Sequence, residues 1–285
     1  MTASENRPLV TTDWLEENID NPEVCVCDAS WYLPTMNRDG YTDYQDNHIP
    51  GAVFWNIDKI ADQKSPLPHT IPSTPQFQSD MRKLGIGDES TVVVYDGMGL
   101  FSAARPWWIL RAFGHEKVFV LDGGLPKWKA EGRPLTDKPP KVRATNFSRT
   151  LNKDFFRTTE QILKYTDDNS VQILDARSEG RFLGKDPEPR PGCRPGHIPS
   201  SRNLPFDRLI DPKTKTILPN SDLISEFTHA GIDIDKPLVT SCGSGVTACV
   251  LALGMYALNK KKVSVYDGSW SEWGSNKILP VEKKN

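Results

Sequence analysis

The chain has 285 residues, of which 37% are apolar and 25% charged, and its formal net charge is -2. This length suffices for two domains of ordinary size or one large domain. The near-neutral charge argues against nucleic acid or a membrane surface as a partner. Residues 1–8 have no apolar core and no stretch approaches the roughly 20 apolar residues of a membrane span, so we expect a cytoplasmic protein.

In chain order, short apolar strands alternate with helices through the first half. The predicted helices cover 12–18, 74–84, 102–113 and 124–131, and the predicted strands cover 24–28, 91–95 and 118–121, with a loop and strand over 48–57. This alternation predicts an α/β fold with a largely parallel sheet covered on both faces. Residues 137–153 contain two adjacent prolines and no apolar period, which predicts a linker.

The second half repeats the first. His48-Ile49-Pro50 recurs at His197-Ile198-Pro199, the strand 26–29 resembles 173–176, and Asp122-Gly123-Gly124 resembles Asp267-Gly268-Ser269. Several matches in one order predict two copies of one domain, 1–136 and 154–285, joined by the linker 137–153. The equivalent positions of His48 and His197 indicate a shared structural turn.

The segment Cys242-Gly243-Ser244-Gly245-Val246-Thr247 lies between a short apolar run and the all-apolar stretch 248–258. This pattern predicts a strand, a tight loop and a buried helix. Two glycines let several backbone N–H groups point at one spot ahead of the helix, which makes an anion site. A cysteine at that place gains stabilisation of its thiolate, and the alternative is a buried, inert cysteine.

The first copy has an aspartate at the place of this cysteine. Aligning the strand 92–95 with 238–241 puts Asp96 opposite Cys242, followed by Gly97-Met98-Gly99. A carboxylate cannot serve as a sulfur nucleophile. We therefore expect cysteine chemistry in the second copy alone.

The other four cysteines follow simpler patterns. Cys249 falls on the apolar helix and Cys25 and Cys27 alternate along a strand, which predicts core or cleft positions. Cys193 lies in a segment rich in proline and glycine, as a plain loop residue or a redox-sensitive thiol. An odd number of cysteines without a CxxC pair or zinc spacing predicts unbridged thiols and no structural metal.

Further motifs accompany the loop in both halves. They are His48–Ala52, Asp122–Gly124, Gly180–Phe182, Asp186–Arg190 and Tyr266–Trp270. With the CGSGVT loop they resemble the tandem-domain sulfurtransferases of the rhodanese superfamily, and within them the branch that uses 3-mercaptopyruvate. The resemblance covers almost the whole chain. It implies two tandem rhodanese-like domains, each a mainly parallel sheet flanked by helices, with the catalytic cysteine in the C-terminal one.

This resemblance implies a sulfur transfer through a persulfide on Cys242, with release of pyruvate and no metal or organic cofactor. The substrate-binding part of the loop is then Gly243, Gly245, Val246 and Thr247. Related thiosulfate sulfurtransferases carry basic residues after the cysteine, whereas Gly243 and Ser244 are uncharged. An uncharged loop favours 3-mercaptopyruvate over the dianion thiosulfate.

The resemblance also implies an anchor for the substrate carboxylate and keto oxygen, formed by Arg181 and Arg190. Guanidinium groups suit a planar keto acid because they can bond it bidentately. The alternatives are that the pair is merely a solvated surface feature, or that Arg177 or Arg194 takes this place.

A third implication concerns proton transfer by Ser244 together with Asp58 and His69. A hydroxyl supported by imidazole and carboxylate can pass a proton to or from a sulfur substrate. For His69, the alternative is a loop histidine in a structural hydrogen bond.

The implied acceptor is a thiol such as that of thioredoxin, or cyanide in an assay. Three other functions stay open: a thiosulfate sulfurtransferase, a phosphatase, and a non-catalytic sulfur carrier or partner-binding module. Cysteine phosphatase loops need an arginine six positions after the cysteine, where this chain has Ala248. The intact surroundings of Cys242 argue against the non-catalytic alternative.

Overall fold

The computed structural model describes residues 7–283, which divide into two compact units. The first unit contains residues 7–63, 71–152 and 211–217, and the second contains 64–70, 153–210 and 218–283. Residues 1–6, which belong to the segment predicted to lack a signal sequence, lie outside this description. None of the helices within 7–283 is long and apolar enough to cross a membrane.

The first unit is an α/β layer structure. Its strands are β1 (Leu9–Val10), β2 (Val24–Asp28), β3 (Val53–Phe54), β4 (Thr91–Tyr95) and β5 (Val118–Leu121). Its helices are α1 (Thr12–Asn18), α2 (Gly40–Asp46), α3 (Thr74–Lys83), α4 (Ala104–Ala112) and α5 (Gly124–Ala130). The strand order is β1-β5-β4-β2-β3, with parallel pairing throughout.

The second unit has the same architecture. Its strands are β6 (Phe156–Arg157), β7 (Gln172–Asp175), β8 (Arg202–Asn203), β9 (Leu238–Ser241) and β10 (Val263–Tyr266). Its helices are α6 (Thr159–Asp168), α7 (Glu179–Leu183), α8 (Asn220–His229), α9 (Ala248–Ala257) and α10 (Ser269–Trp273). The order β6-β10-β9-β7-β8 matches the first sheet, so the predicted α/β fold with parallel sheets is confirmed.

Apolar residues explain where the core lies in each unit. The central strands β4 and β9 are almost wholly buried, and one core cluster of the second unit packs Val239 and Tyr266 of the sheet against Trp270 and Trp273 of α10. Because parallel strands place their carboxyl ends at one edge, the loops after β4 and β9 occupy the position where α/β folds bind ligands.

Residues 137–152, most of the predicted linker, have no helix or strand but lie within the first unit. Phe147 is fully buried and makes an edge contact with Phe77, with ring centroids 5.7 Å apart. Arg82 Nη1 also donates to the Phe147 carbonyl at 3.2 Å. Residues 137–152 therefore pack with the first unit, and the domain boundaries at 136 and 154 stay a prediction.

The paired histidines lie at equivalent places in the two units. His48 and His197 are both buried, their Nδ1 atoms lie 2.7 and 2.8 Å from the carbonyls of Tyr44 and Phe182, and each ring stacks on the side chain of that residue. Each histidine also forms an isolated antiparallel bridge. These contacts match the structural role predicted from the repeat.

Two buried groups of the first unit, Asp28 and His115, have opposite pKa shifts. Burial raises the pKa of Asp28 from 3.8 to about 6 and lowers the pKa of His115 from 6.5 to about 4. Folded Asp28 keeps its proton to higher pH than the unfolded chain does, so its stabilisation is present below pH 3.8 and is lost as the pH rises through 6. Folded His115 resists protonation, so its contribution to the free energy of unfolding is lost as the pH falls from 6.5 to 4.

We therefore expect Asp28→Asn and His115→Gln to change the pH dependence of stability in opposite directions. Between about pH 4 and pH 7, the free energy of unfolding of Asp28→Asn relative to wild type should rise by about 3 kcal/mol, and that of His115→Gln should fall by a similar amount. Urea unfolding of the three proteins across this pH range measures both differences. Shifts of the same sign in both variants would contradict the prediction.

Candidate active site

Cys242 lies directly after β9, at the start of the loop that leads into α9, and is 2% exposed. β9 pairs with β7 on one side and β10 on the other, and every residue of α9 is buried, so both ends of the loop are fixed in the core. Gly245 has φ +78°, a conformation that favours glycine. A Cβ on Gly243 would lie 3.2 Å from Arg181 Nη2, so the absence of a side chain brings this arginine close to the loop.

The first two carbonyls of the loop are bound to α10. The Cys242 carbonyl accepts the N–H of Trp270 at 2.9 Å. The Gly243 carbonyl accepts the N–H of Ser271 at 2.8 Å and its Oγ–H at 2.6 Å. In a trans peptide the N–H points opposite to the C=O, so the N–H groups of Gly243 and Ser244 point away from α10.

The rest of the loop turns directly into the helix. Cys249 Sγ donates to the Gly245 carbonyl at 3.2 Å, and the carbonyls of Val246 and Thr247 accept the N–H groups of Cys249 and Val250 at 3.1 and 3.0 Å. Carbonyls engaged in this way point along the helix. The loop therefore presents N–H groups at the amino end of α9, where the helix dipole favours negative charge.

The side chains of Arg181 and Arg190 converge on Gly243. From the position of a Cβ at that glycine, Arg181 Nη2 is 3.2 Å away and Arg190 Nη1 is 3.6 Å away. Arg181 lies on α7, and its Nη2 donates to Oε2 of Glu188, which follows that helix, at 2.6 Å. Two guanidinium groups thus lie next to the residue that follows Cys242, where an anion can be held beside the sulfur.

The two neighbouring arginines are engaged elsewhere. Arg177 is fully buried and bonds to Asp175, Glu188 and the Gly196 carbonyl. Burial lowers the pKa of Arg177, but its two carboxylate partners outweigh that effect and raise it. Arg194 donates to backbone carbonyls of the α10 segment at 3.1 Å and below. Neither takes the place beside Gly243.

Ser244 and His69 are in contact. Ser244 Oγ and His69 Nδ1 lie 2.9 Å apart, and the two residues are 4% and 5% exposed. Residues 64–70 belong to the second unit, and His69 has φ +62°. A non-glycine residue in this conformation costs free energy, which the hydrogen bond to Ser244 helps to offset.

Both halves of the chain match one family profile. The Rhodanese-like domain matches residues 11–131 and again residues 158–276. The chain belongs to the rhodanese family. Each match contains four of the five strands of its sheet and the loop after the central strand.

Similar rhodanese proteins include curated sulfurtransferases. 3-Mercaptopyruvate sulfurtransferase of Escherichia coli K12 is 41% identical over 276 residues, which is 96% of this chain and 97% of that protein. The mitochondrial thiosulfate/3-mercaptopyruvate sulfurtransferase 1 of Arabidopsis thaliana is 42% identical over 302 residues, covering 99% and 79%. The crystal structure of SseA from E. coli has a TM-score of 0.85 at 37% identity and covers 93% of this chain and 99% of its own.

Asp58 belongs to the first rhodanese unit, unlike the other predicted catalytic residues. Within that unit Trp31 Nε1 donates to Asp58 Oδ1 at 3.2 Å, and Trp31 stacks on Phe101 with centroids 6.0 Å apart. The second unit thus brings together Cys242, Ser244, His69 and the two arginines, while the role of Asp58 stays a prediction.

The first rhodanese unit shows what its loop does without a cysteine. The Asp96 carboxylate accepts the N–H groups of Met98, Phe101, Ser102 and Ala103 at 2.8 to 2.9 Å. These contacts also explain why α4 begins at Ala104 and not at residue 102 as predicted. The side chain at the first loop position of this unit therefore lies inside a ring of backbone amides.

The other thiols lie where the sequence predicted them, whereas Ser271 of α10 was not predicted to contribute to the site. Cys249 is buried in the helix, and Cys27 is buried with its thiol pKa raised by the hydrogen bond to Cys25 and by burial. Cys193 is partly buried, and burial raises its pKa. Ser271 was given no role, because its contact with the loop is made to a backbone carbonyl. The available signal is the difference between the two copies, which have Pro126 and Ser271 at equivalent positions.

Proposed function

We propose that this rhodanese transfers sulfur from 3-mercaptopyruvate to a thiol acceptor through a persulfide on Cys242 and releases pyruvate. The observation that carries the proposal is the convergence of Arg181 and Arg190 on Gly243, beside Cys242. An anchor for a carboxylate next to a thiol ahead of the amino end of a helix suits a substrate that carries both an acid group and a transferable sulfur.

In the first step the Cys242 thiolate attacks the sulfur of 3-mercaptopyruvate. A bond forms between the two sulfurs, the C–S bond breaks, and its electron pair stays on the methylene carbon as the enolate of pyruvate. Arg181 and Arg190 stabilise this enolate through its carboxylate and its oxygen. The N–H groups from Gly243 to Thr247 stabilise the charged persulfide.

The reaction also moves one proton from the substrate sulfur to the enolate carbon. The transferred sulfur arrives as a thiol, and its proton has to reach the enolate carbon to give pyruvate. Ser244, hydrogen-bonded to His69 at 2.9 Å, can take up and deliver a proton at this place. We propose Asp58 as the carboxylate that supports the histidine.

In the second step an acceptor thiolate takes the outer sulfur and leaves the Cys242 thiolate ready for another cycle. Reduced thioredoxin is the acceptor we propose, and cyanide can replace it in an assay. Two separate half-reactions give ping-pong kinetics.

We place the protein in the cytoplasm. The support is the sequence, whose five cysteines include no CxxC pair and no zinc spacing, a pattern that suits a reducing compartment. The similar Arabidopsis protein is mitochondrial by name, so fractionation of cells for this chain is the direct test.

The donor is tested by comparing kcat/KM for pyruvate formation from 3-mercaptopyruvate with kcat/KM for thiocyanate formation from thiosulfate and cyanide. We expect the higher value with 3-mercaptopyruvate, since Gly243 and Ser244 provide no charge for a dianion. Mass spectrometry of the enzyme treated with 3-mercaptopyruvate should show one added sulfur atom on the Cys242 peptide. A higher value with thiosulfate would assign the other donor, and absence of pyruvate with every acceptor would indicate a non-catalytic carrier.

A further inference from the structure

Ser271 makes two hydrogen bonds to one carbonyl of the cysteine loop. Its N–H and its Oγ–H reach the Gly243 carbonyl at 2.8 and 2.6 Å, and the residue is 6% exposed. A buried carbonyl can accept two hydrogen bonds through its two lone pairs. The Gly243–Ser244 peptide is therefore fixed more firmly than a single backbone contact would fix it.

The repeat shows that this double contact is confined to the copy that carries the thiol. The hydrogen bond from Trp270 N–H to the Cys242 carbonyl has a counterpart in the first unit. There the Leu125 N–H donates to the Asp96 carbonyl at 3.0 Å. At the place of Ser271 it has Pro126, which has neither an N–H nor a hydroxyl group.

The first unit also shows what the N–H of the corresponding peptide group contacts. Met98, the counterpart of Ser244, donates its N–H to the side chain at the first loop position, Asp96 Oδ1, at 2.9 Å. In the second unit the first position is Cys242. The Ser244 N–H belongs to the same peptide group as the Gly243 carbonyl, so holding that carbonyl toward α10 turns the N–H toward the opposite side.

We propose that Ser271 is a positioning residue for the sulfur chemistry. It holds the Gly243 carbonyl so that the Ser244 N–H stabilises the negative sulfur of Cys242, first as thiolate and then as persulfide. The same contact fixes the backbone of Ser244, whose hydroxyl is bonded to His69. This role rests on the proposed sulfur transfer, but its effect on the thiolate is measurable without any sulfur donor.

The test measures the rate of alkylation of Cys242 by iodoacetamide as a function of pH, with the modified peptide identified by mass spectrometry. In Ser271→Ala we expect the rate at pH 7 to fall about fivefold, the effect of one lost hydrogen bond, and the midpoint of the pH profile to move upward. Ser271→Thr keeps the hydroxyl group and should restore both. Arg181, Arg190 and His69, the ionisable groups next to the loop, are unchanged in all variants.

Ser275→Ala is the matched control. The Ser275 hydroxyl donates to the carbonyls of Ser271 and Glu272 and does not contact the cysteine loop in the described structure. Its alkylation profile should equal that of wild type. If Ser271→Ala does not fold, Ser271→Val against Ser271→Thr gives the same comparison at equal side-chain shape.

The proposal is overturned if the variants without the hydroxyl group lose activity while their alkylation profiles match wild type, because Ser271 would then be structural only. That result would leave the sulfur transfer intact, provided that wild type still forms the persulfide and pyruvate. A shifted profile in an enzyme that releases no pyruvate would instead preserve the positioning role and reject the function.

Discussion

Replacing Cys242 by serine should abolish pyruvate formation from 3-mercaptopyruvate, lowering kcat by at least about 10⁴-fold. A serine hydroxyl is not ionised near neutral pH and cannot carry the sulfur as a persulfide, so both half-reactions are lost together. The mass spectrum of Cys242→Ser after substrate treatment should lack the added sulfur atom.

Cys193→Ser is the control for this prediction. Cys193 is a partly buried thiol in the segment between Arg190 and α10, and its Sγ lies 3.9 Å from the Trp270 carbonyl. Its removal should leave kcat close to wild type. Persulfide formation by the Cys242→Ser enzyme, or loss of activity in the control alone, would move the nucleophile to another cysteine.

The sequence predicted the central elements of both units because they are local and strongly patterned. Apolar runs such as 91–95 and 118–121 match β4 and β5 to the residue. The edge strands β1 and β6 were missed, since each has two residues and exists through pairing with a strand distant in sequence. Phe147 was likewise hidden in a segment without apolar period, although it fills the core.

The candidate site also contains residues that the sequence predicted and contacts that it did not predict. The loop from Cys242 to Thr247 was predicted from its own residues. Arg181 and Arg190 were predicted from the family resemblance. The contact of His69 with Ser244 depends on residues 64–70 packing with the second unit, which no local pattern encodes. The orientation of the loop amides depends on carbonyl contacts from α10, and backbone contacts leave little signature in a single sequence.

The repeat supplied a comparison that neither copy offers alone. In the first unit the amide ring is filled by the Asp96 carboxylate, and its neighbour Gly97 donates its N–H to Ser30 Oγ at 2.9 Å. In the second unit the counterpart of Ser30 is Arg177, which is bound to Asp175 and Glu188. The same loop therefore surrounds the side chain of an aspartate in one unit and begins with a thiol in the other.

The second large effect concerns Arg190. We expect Arg190→Ala to lower kcat/KM for 3-mercaptopyruvate by roughly 10²–10³-fold, because the proposed anchor would lose two charge-assisted hydrogen bonds to the substrate. The loss of the carboxylate contact, which would be present in the ground state and the transition state alike, should raise KM, and the loss of the contact to the enolate oxygen should lower kcat by a smaller factor. Arg190→Lys keeps the charge but not the fork, and should fall between Ala and wild type.

Steady-state kinetics with both donors decides whether Arg190 recognises the keto acid. Thiosulfate has no carboxylate beside a keto group, so its KM should rise far less than that of 3-mercaptopyruvate. Arg208→Ala is the matched control, because this arginine is 64% exposed and pairs with Glu226 at 3.0 Å, and it should leave both donors unaffected. Equal losses with the two donors in Arg190→Ala would mean that the guanidinium attracts any anion, and the preference for 3-mercaptopyruvate would then have to come from the uncharged loop alone.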